Sequence, residues 1–213
     1  MILYENRKEA GESLGKEIKS LELPLVNPIV FGIPRGGIPI GHGVAKHLEC
    51  PLDTIVLRKL PIPRNPEAGF GAVTLDKTAV LNEMLLSRLH LSDEAIDHII
   101  DDVYAEVLRR NEMYRRGRPF PNLEKRSVIL TDDGLASGYT MLAALKYSRK
   151  HDAGEVIVAS PVAHRTSYEM LAKKSDRILV SHVSDLPYFA VASFYESFPD
   201  LKDEVVMHYL EQR

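Results

Sequence analysis

Apolar and polar positions along the chain alternate between two textures. One is the short run that is apolar almost throughout: 28–33 (PIVFGI), 53–57 (DTIVL), 127–131 (SVILT), 156–159 (VIVA) and 177–181 (RILVS). The other is helical spacing. Ala10, Leu14 and Ile18 mark it in 5–19, and Ile96, Ile99, Ile100, Val103 and Val107 mark it in 93–116. Further helices are predicted from Ile38 to Leu48, after Thr140 as far as Lys150, and near 166–174. Strands that are apolar on both faces, separated by helices, predict a parallel sheet covered by helices, and so an α/β fold. Punctuation supports these limits. Pro34–Gly37 (PRGG) closes the first run, Arg58 and Lys59 close the second, and a Pro-rich stretch (LPIPRNP, 60–66) follows. Residues 71–74 and 78–81 predict a small hairpin around Asp76 and Lys77. The tail from 183 carries Tyr188, Phe189, Phe194, Tyr195 and Phe198 and turns helical from about Lys202.

Composition adds bounds. The 213 residues are 45% apolar and 27% charged, which suits one ordinary domain with its own core. With 27 Lys and Arg against 30 Asp and Glu, the net charge is −3, so nucleic acid and anionic membranes are not expected partners. The single Cys50 excludes an internal disulfide and disfavours a Cys-based zinc site. No apolar run approaches the roughly 20 residues of a membrane span. The first residues lack a signal-peptide layout, so a cytoplasmic location is expected. The long helix starts acidic (Asp93, Glu94, Asp97) and ends basic (Arg109, Arg110, Arg115, Arg116). That order complements the helix dipole, so a solvated helix end is the first reading and a phosphate or partner site the second.

In an open α/β sheet, ligands bind beyond the C-terminal strand ends. The third strand is the most informative there. Asp132 and Asp133 end it, and Gly134, Leu135, Ala136, Ser137, Gly138, Tyr139 and Thr140 turn straight into a helix. Glycines that admit a ligand close to the backbone, two hydroxyls and free helix N–H groups suit a phosphate. The adjacent carboxylates suit neutral hydroxyls or a hydrated Mg²⁺ beside it. A ribose 5-phosphate group satisfies the whole segment. Arg35 beside Gly36 and Gly37, with Lys59, fits a pyrophosphate. Gly11–Lys16 is too short for a Walker A loop, Gly41–Gly43 lacks a third glycine, and neither a nucleophile elbow nor a zinc-protease motif occurs.

Residues 128–140 (VILTDDGLASGYT) resemble the phosphoribosyl pyrophosphate (PRPP) signature of the type I phosphoribosyltransferases. Ser137 stands where many members have Thr. Pro34–Gly37, Arg58–Leu60, Asn65–Glu67 with Gly71–Val73, and Pro187–Val191 are similar to a subgroup described only as predicted phosphoribosyltransferases. The resemblance implies a core over 1–182 with a helical insertion at about 92–117, and a small C-terminal hood over 183–213. It implies an enzyme that transfers the 5-phosphoribosyl group of Mg²⁺-bound PRPP to a nitrogen nucleophile, releasing pyrophosphate. The 5-phosphate would lie on 134–140 and the ribose hydroxyls on Asp132 and Asp133, which would also hold the metal indirectly. Pro34, Arg35, Gly36, Arg58 and Lys59 would receive the pyrophosphate. The peptide at Pro34–Arg35 or Arg35–Gly36 is expected to be strained or cis. Val162, His164, Tyr188 and Phe189 are the candidates for the base site, although the hood aromatics equally suit packing onto the core. Residues 60–68 would be a mobile lid, with Arg64 and Glu67 in it. A homodimer follows by analogy. A non-catalytic PRPP- or nucleotide-sensing protein on the same fold stays open as the alternative.

Overall fold

The computed structural model describes residues 1–212, with the side chains of residues 66 and 67 outside the description, so Glu67 lies outside the described side chains. Helix α1 (Arg7–Ser20) starts at Asn6, whose side chain accepts from the N–H groups of Lys8 and Glu9. Two donors that the helix cannot pair internally are thereby satisfied. Strand β1 (Ile29–Gly32), helix α2 (Gly37–Leu48) and strand β2 (Leu52–Thr54) follow. Then come β3 (Leu57–Ile62), β4 (Asn65–Thr74), β5 (Ala79–Leu81), α3 (Glu83–Leu89) and α4 (Asp93–Arg115). The second half runs β6 (Ser127–Thr131), α5 (Tyr139–Lys150), β7 (Glu155–His164), α6 (Arg165–Ala172), β8 (Arg177–Ser184) and α7 (Asp203–Glu211).

Five strands form a wholly parallel sheet in the order β2-β1-β6-β7-β8. Alternate residues feed two cores. Val30, Ile129, Ile157 and Ala159 pack with Ala10, Leu14, Ile18, Ile38 and Val44 of α1 and α2. Phe31, Val128, Leu130, Val156 and Val158 pack with Met141, Leu142 and Leu145 of α5. The expected parallel α/β class is what the chain forms. The glycines of the two abortive motifs close the approach of α1 and α2: a Cβ on Gly43 would stand 2.3 Å from the Gly11 carbonyl carbon. They serve helix packing and hold no phosphate.

Two expectations need correction. The run 53–57 is not one strand. The chain leaves the main sheet after Thr54 and re-enters at Leu57 in a second, antiparallel sheet, β3-β4-β5. Ile55 and Leu57 bury in one core and Val56 in the other, so an unbroken apolar run hides the change of sheet. Arg58 and Lys59 consequently sit inside β3, opposite Val73 and Ala72. The Pro-rich 60–68 forms the tip of the β3–β4 hairpin. It turns through Arg64 at φ 66°, and Pro61 sits at a register shift, where a missing N–H costs no ladder bond.

Strand β7 also runs further than expected, through Pro161 to His164. Its partner β6 stops at Thr131, opposite Ala159, so Pro161 meets no ladder on that side. Helix α4 packs on β3 and β4 and touches α7, while α5 packs on β3, β4 and β5. The solvated end expected for α4 is also corrected at one residue. Arg115 is buried, 3.0 Å from Asp53 through Nη1, and donates to the Thr54 and Pro119 carbonyls. The tail is held by the first residues of the chain: Tyr4 pairs with Tyr195, and the Glu196 and Ser197 N–H groups donate to the Tyr4 and Glu5 carbonyls.

Candidate functional site

The C-terminal ends of β1 and β6 are locked together. Thr131 is buried at the end of β6, and its Oγ1 donates toward the Gly37 carbonyl at 3.1 Å. The turn after β1 lies flat on this strand end. A Cβ on Gly37 would stand 2.3 Å from the Thr131 carbonyl oxygen, and one on Gly36 would stand 1.9 Å from the Asp133 Oδ2. No side chain fits at either place. The Pro34–Arg35 peptide is cis.

The loop after β6 is clipped to the free side of β7. Leu135 N–H donates to the Val162 carbonyl and its own carbonyl accepts from His164 N–H, both at 2.9 Å. The Ser167 hydroxyl donates to the Leu135 carbonyl at 2.6 Å. Gly138 then takes φ 78°, open to glycine without strain, and α5 begins with no side-chain cap. The first turn of α5 borders a cavity of about 330 Å³. Asp132, Gly134, Leu135, Ala136, Ser137, Gly138, Thr140 and Met141 line one side of it, and Lys59, Ala68 and Gly69 the other. Gly69 makes room for the lysine: a Cβ there would stand 2.2 Å from Lys59 Cγ.

The two carboxylates have different surroundings. Asp132 lines the cavity, and its Oδ1 accepts from the Asp133 N–H at 2.9 Å. Asp133 turns away, and its Oδ2 accepts from Arg7 Nε at 2.7 Å. Arg7 is itself held by the tail, with its guanidinium 3.5 Å from the centre of the Phe198 ring and Nη1 donating to the Pro199 carbonyl. The Tyr195 hydroxyl donates to the Asp133 carbonyl at 2.6 Å. Burial, then the neighbouring Asp133 charge, pushes the Asp132 carboxyl well above its ordinary range. Burial also raises Asp133, against the pull of Arg7.

The structure therefore brings Asp132, Lys59 and most of 134–140 to one cavity, with Tyr139 off its wall. It sends other candidates elsewhere. The Arg35 guanidinium lies 3.9 Å from Asp203 on α7, and Arg35 does not line the cavity. Arg58 is 3.1 Å from Glu106 on α4, on the opposite face of β3 from Lys59. Val162 is fully buried, packed beside Gly134, so as it stands it presents no surface to a ligand. The His164 ring bonds to the Thr166 hydroxyl at 2.7 Å and meets Phe189 edge-on at 5.6 Å. Phe189 packs on Phe194, whereas Tyr188 is 95% exposed and, among the described residues, touches no ring. Sequence reasoning missed Arg7 altogether, and no local signal marks it.

An open parallel sheet with a glycine loop, a helix N-terminus and a carboxylate at one strand end is a layout in which α/β domains commonly bind phosphorylated ligands. The model of the phosphoribosyl transferase domain matches residues 3–192. A curated relative from Mycobacterium tuberculosis, named "Putative phosphoribosyl transferase", is 35% identical over 212 residues, covering 100% of this chain and 47% of that protein. The chain thus spans about half the length of the curated relatives it matches. The crystal structure of TT1426 from Thermus thermophilus is similar along 99% of both chains, with TM-score 0.80 and 31% identity. That of AQ2163 from Aquifex aeolicus shares the fold at TM-score 0.53 and 14% identity, over 83% of this chain and 74% of that one. The chain belongs to the phosphoribosyl transferase domain family.

Proposed function

We propose that this protein is a PRPP-dependent phosphoribosyltransferase. The observation that carries this reading is the cavity in which the 134–140 loop and the start of α5 face Lys59 across Asp132. The 5-phosphate accepts from the N–H groups of the loop and from the Ser137 and Thr140 hydroxyls. The ribose diol donates to Asp132. The pyrophosphate lies toward Lys59 and the backbone of Arg35 and Gly36. Asp133 acts indirectly: paired with Arg7, it holds the 36–37 turn in place without adding a second uncompensated charge beside the substrate.

Among the described residues no cluster of three or more acidic, His or Cys side chains can cage a metal. Mg²⁺ would be held here mainly by substrate oxygens and water, which it retains readily, with Asp132 and Asp133 holding it indirectly. Bound there, it would supply positive charge that offsets the leaving pyrophosphate. A nitrogen of the acceptor attacks C1 as the C1–O bond to pyrophosphate breaks; pyrophosphate takes the electron pair, and the proton of the nitrogen passes to the departing pyrophosphate or to solvent. The protein contributes positioning and anion stabilisation. The acceptor is a nucleobase or another amine, and Phe189 and His164 stand nearest to where the hood meets β7. Residues 1–182 act as the core, with 92–117 inserted, and 183–213 as the hood. The protein works as a cytoplasmic homodimer.

The test is a PRPP titration in Mg²⁺ followed by pyrophosphate release with a panel of bases. PRPP binding with turnover of one base is the expected result. Binding without turnover on any base would move the protein to the sensing role, and no PRPP binding would refute both.

A further inference from the structure

Helix α4 carries Arg109 and Arg110 to the face of the small sheet on which Arg58 lies, and the turn after β1 sends the Arg35 side chain to the same place. Four guanidinium groups from three separate segments thus meet two carboxylates. Glu106 Oε1 accepts from Arg110 Nε at 2.9 Å and lies 3.1 Å from Arg58 Nη1. Arg109 takes both oxygens of the same carboxylate, at 2.6 and 2.8 Å. Asp203 is bonded to the Tyr114 hydroxyl and stands only loosely by two arginines, 3.9 Å from Arg35 Nη1 and 3.7 Å from Arg109 Nη2.

Among the described residues these two carboxylates are the acidic partners of the four arginines, so two positive charges there are unmatched, in a chain whose net charge is −3. Burial, then the neighbouring Arg110, Arg35 and Arg109 charges, hold the Arg58 guanidinium below its ordinary value against the pull of Glu106. The side chains of Arg35, Arg58 and Arg109 are 36%, 40% and 50% exposed, so a ligand can reach them. The other two arginines of this helix end differ: Arg115 is buried on Asp53, and Arg116 pairs with Glu211.

Guanidinium groups held together by too few carboxylates form a site for a phosphate, whose oxygens match their forked geometry. The cluster is not the cavity described above. Arg58 and Lys59 are neighbours on β3, so their side chains leave opposite faces of the sheet. We propose that Arg35, Arg58, Arg109 and Arg110 form a second anion site, which takes a phosphate group of a ligand other than PRPP. It joins α4, the β3 strand and the turn after β1, so its occupant would touch the segment that shapes the first site from behind.

The experiment uses the full chain saturated with PRPP in excess Mg²⁺, so that the 134–140 loop is filled. Inorganic phosphate is the probe, followed by ³¹P line broadening. Phosphate is expected to bind without displacing PRPP. R109Q/R110Q is expected to weaken phosphate about tenfold, a change of about 1.4 kcal/mol, with PRPP affinity unchanged. R109Q alone, at a half-exposed side chain, is expected to weaken it in the same direction and covers a folding failure of the double variant. Displacement of PRPP by phosphate, or unchanged phosphate affinity in both variants, would overturn the proposal. If the protein binds no PRPP, the reading of the first site fails, and the same variants titrated without PRPP still decide the second.

Discussion

Replacing Arg7 with Gln removes one partner of an ion pair whose side chains are 10% and 15% exposed. Glutamine retains a donor for the Pro199 carbonyl but cannot match the Asp133 charge. Breaking a buried pair on one side costs about 3–5 kcal/mol, because the remaining charge stays buried. The lost stacking of the guanidinium on Phe198 adds about 1 kcal/mol. In a chain of this size 1 kcal/mol moves Tm by about 2–4 °C, so a fall of roughly 10 °C or more is expected at pH 8. The loss must depend on pH. Burial already holds the Asp133 carboxyl above its ordinary value, and Arg7 opposes that rise. Without Arg7 the rise is larger. A carboxyl whose folded pKa is raised binds a proton more tightly in the folded state, so its effect on stability is most favourable below the unfolded pKa and worsens as pH climbs to the folded one. The Tm gap between wild type and R7Q should therefore narrow from pH 8 to pH 5 as Asp133 takes a proton. Thermal unfolding followed by circular dichroism across that range is the assay. A gap of under about 2 °C at pH 8, or one that does not narrow on acidification, would refute the assignment of Arg7 as the counter-ion.

Asp132→Asn should lower PRPP affinity about tenfold or more in a titration, while raising Tm at pH 8, because it removes a charge that burial and Asp133 disfavour; unchanged PRPP affinity would remove the ribose contact. Lys59→Ala should weaken PRPP by a similar factor with Tm moved by about 1–2 °C at most, since the lysine stem lies over Gly69 at the cavity rim; a large Tm loss would make Lys59 a structural residue. Arg115→Ala should cost about 3–5 kcal/mol in urea unfolding, because Asp53 is 7% exposed and would lose its buried partner; a cost below about 1 kcal/mol would place the pair at the solvated end that the helix dipole suggests.

The layout of the main sheet was legible because burial on both faces leaves a mark in the sequence. Ile29–Gly32 and Ser127–Thr131 are buried at every position and contain no alternation to misread. The glycine loop was legible for a related reason: Gly138 takes a positive φ, and Gly36 and Gly37 lie where a Cβ would collide. The change of sheet at Ile55–Val56 left no mark, because both cores accept the same apolar residues. The Pro-rich hairpin was not predicted, because Pro61 normally argues against a strand and its bulge is a property of register that local spacing does not carry. Helix α3 was missed although Asn82 caps it through the Leu85 N–H; at seven residues it is too short for a periodic pattern. Side-chain destinations were the least legible. Arg35, Lys59 and Arg58 look alike as cations at strand ends, yet tertiary packing gives Asp203 to the first, the cavity to the second and Glu106 to the third.

The same distinction bears on how a chain of net charge −3 could take the polyanionic PRPP proposed above. Two adjacent carboxylates in a phosphate site would repel the ligand if both stood open to it. Here Asp133 is matched by Arg7, which the tail holds in place, and only Asp132 lines the cavity. Against that single carboxylate stand Lys59 and the N–H groups that open α5. The balance at the cavity is therefore set over a few ångströms, within the reach of unscreened charge. The acidic excess lies elsewhere on the surface, and beyond a Debye length of about 8 Å at physiological ionic strength it is largely screened. Net charge says little about such a ligand; the pairing of one carboxylate, by a residue 126 positions away in the chain, says more.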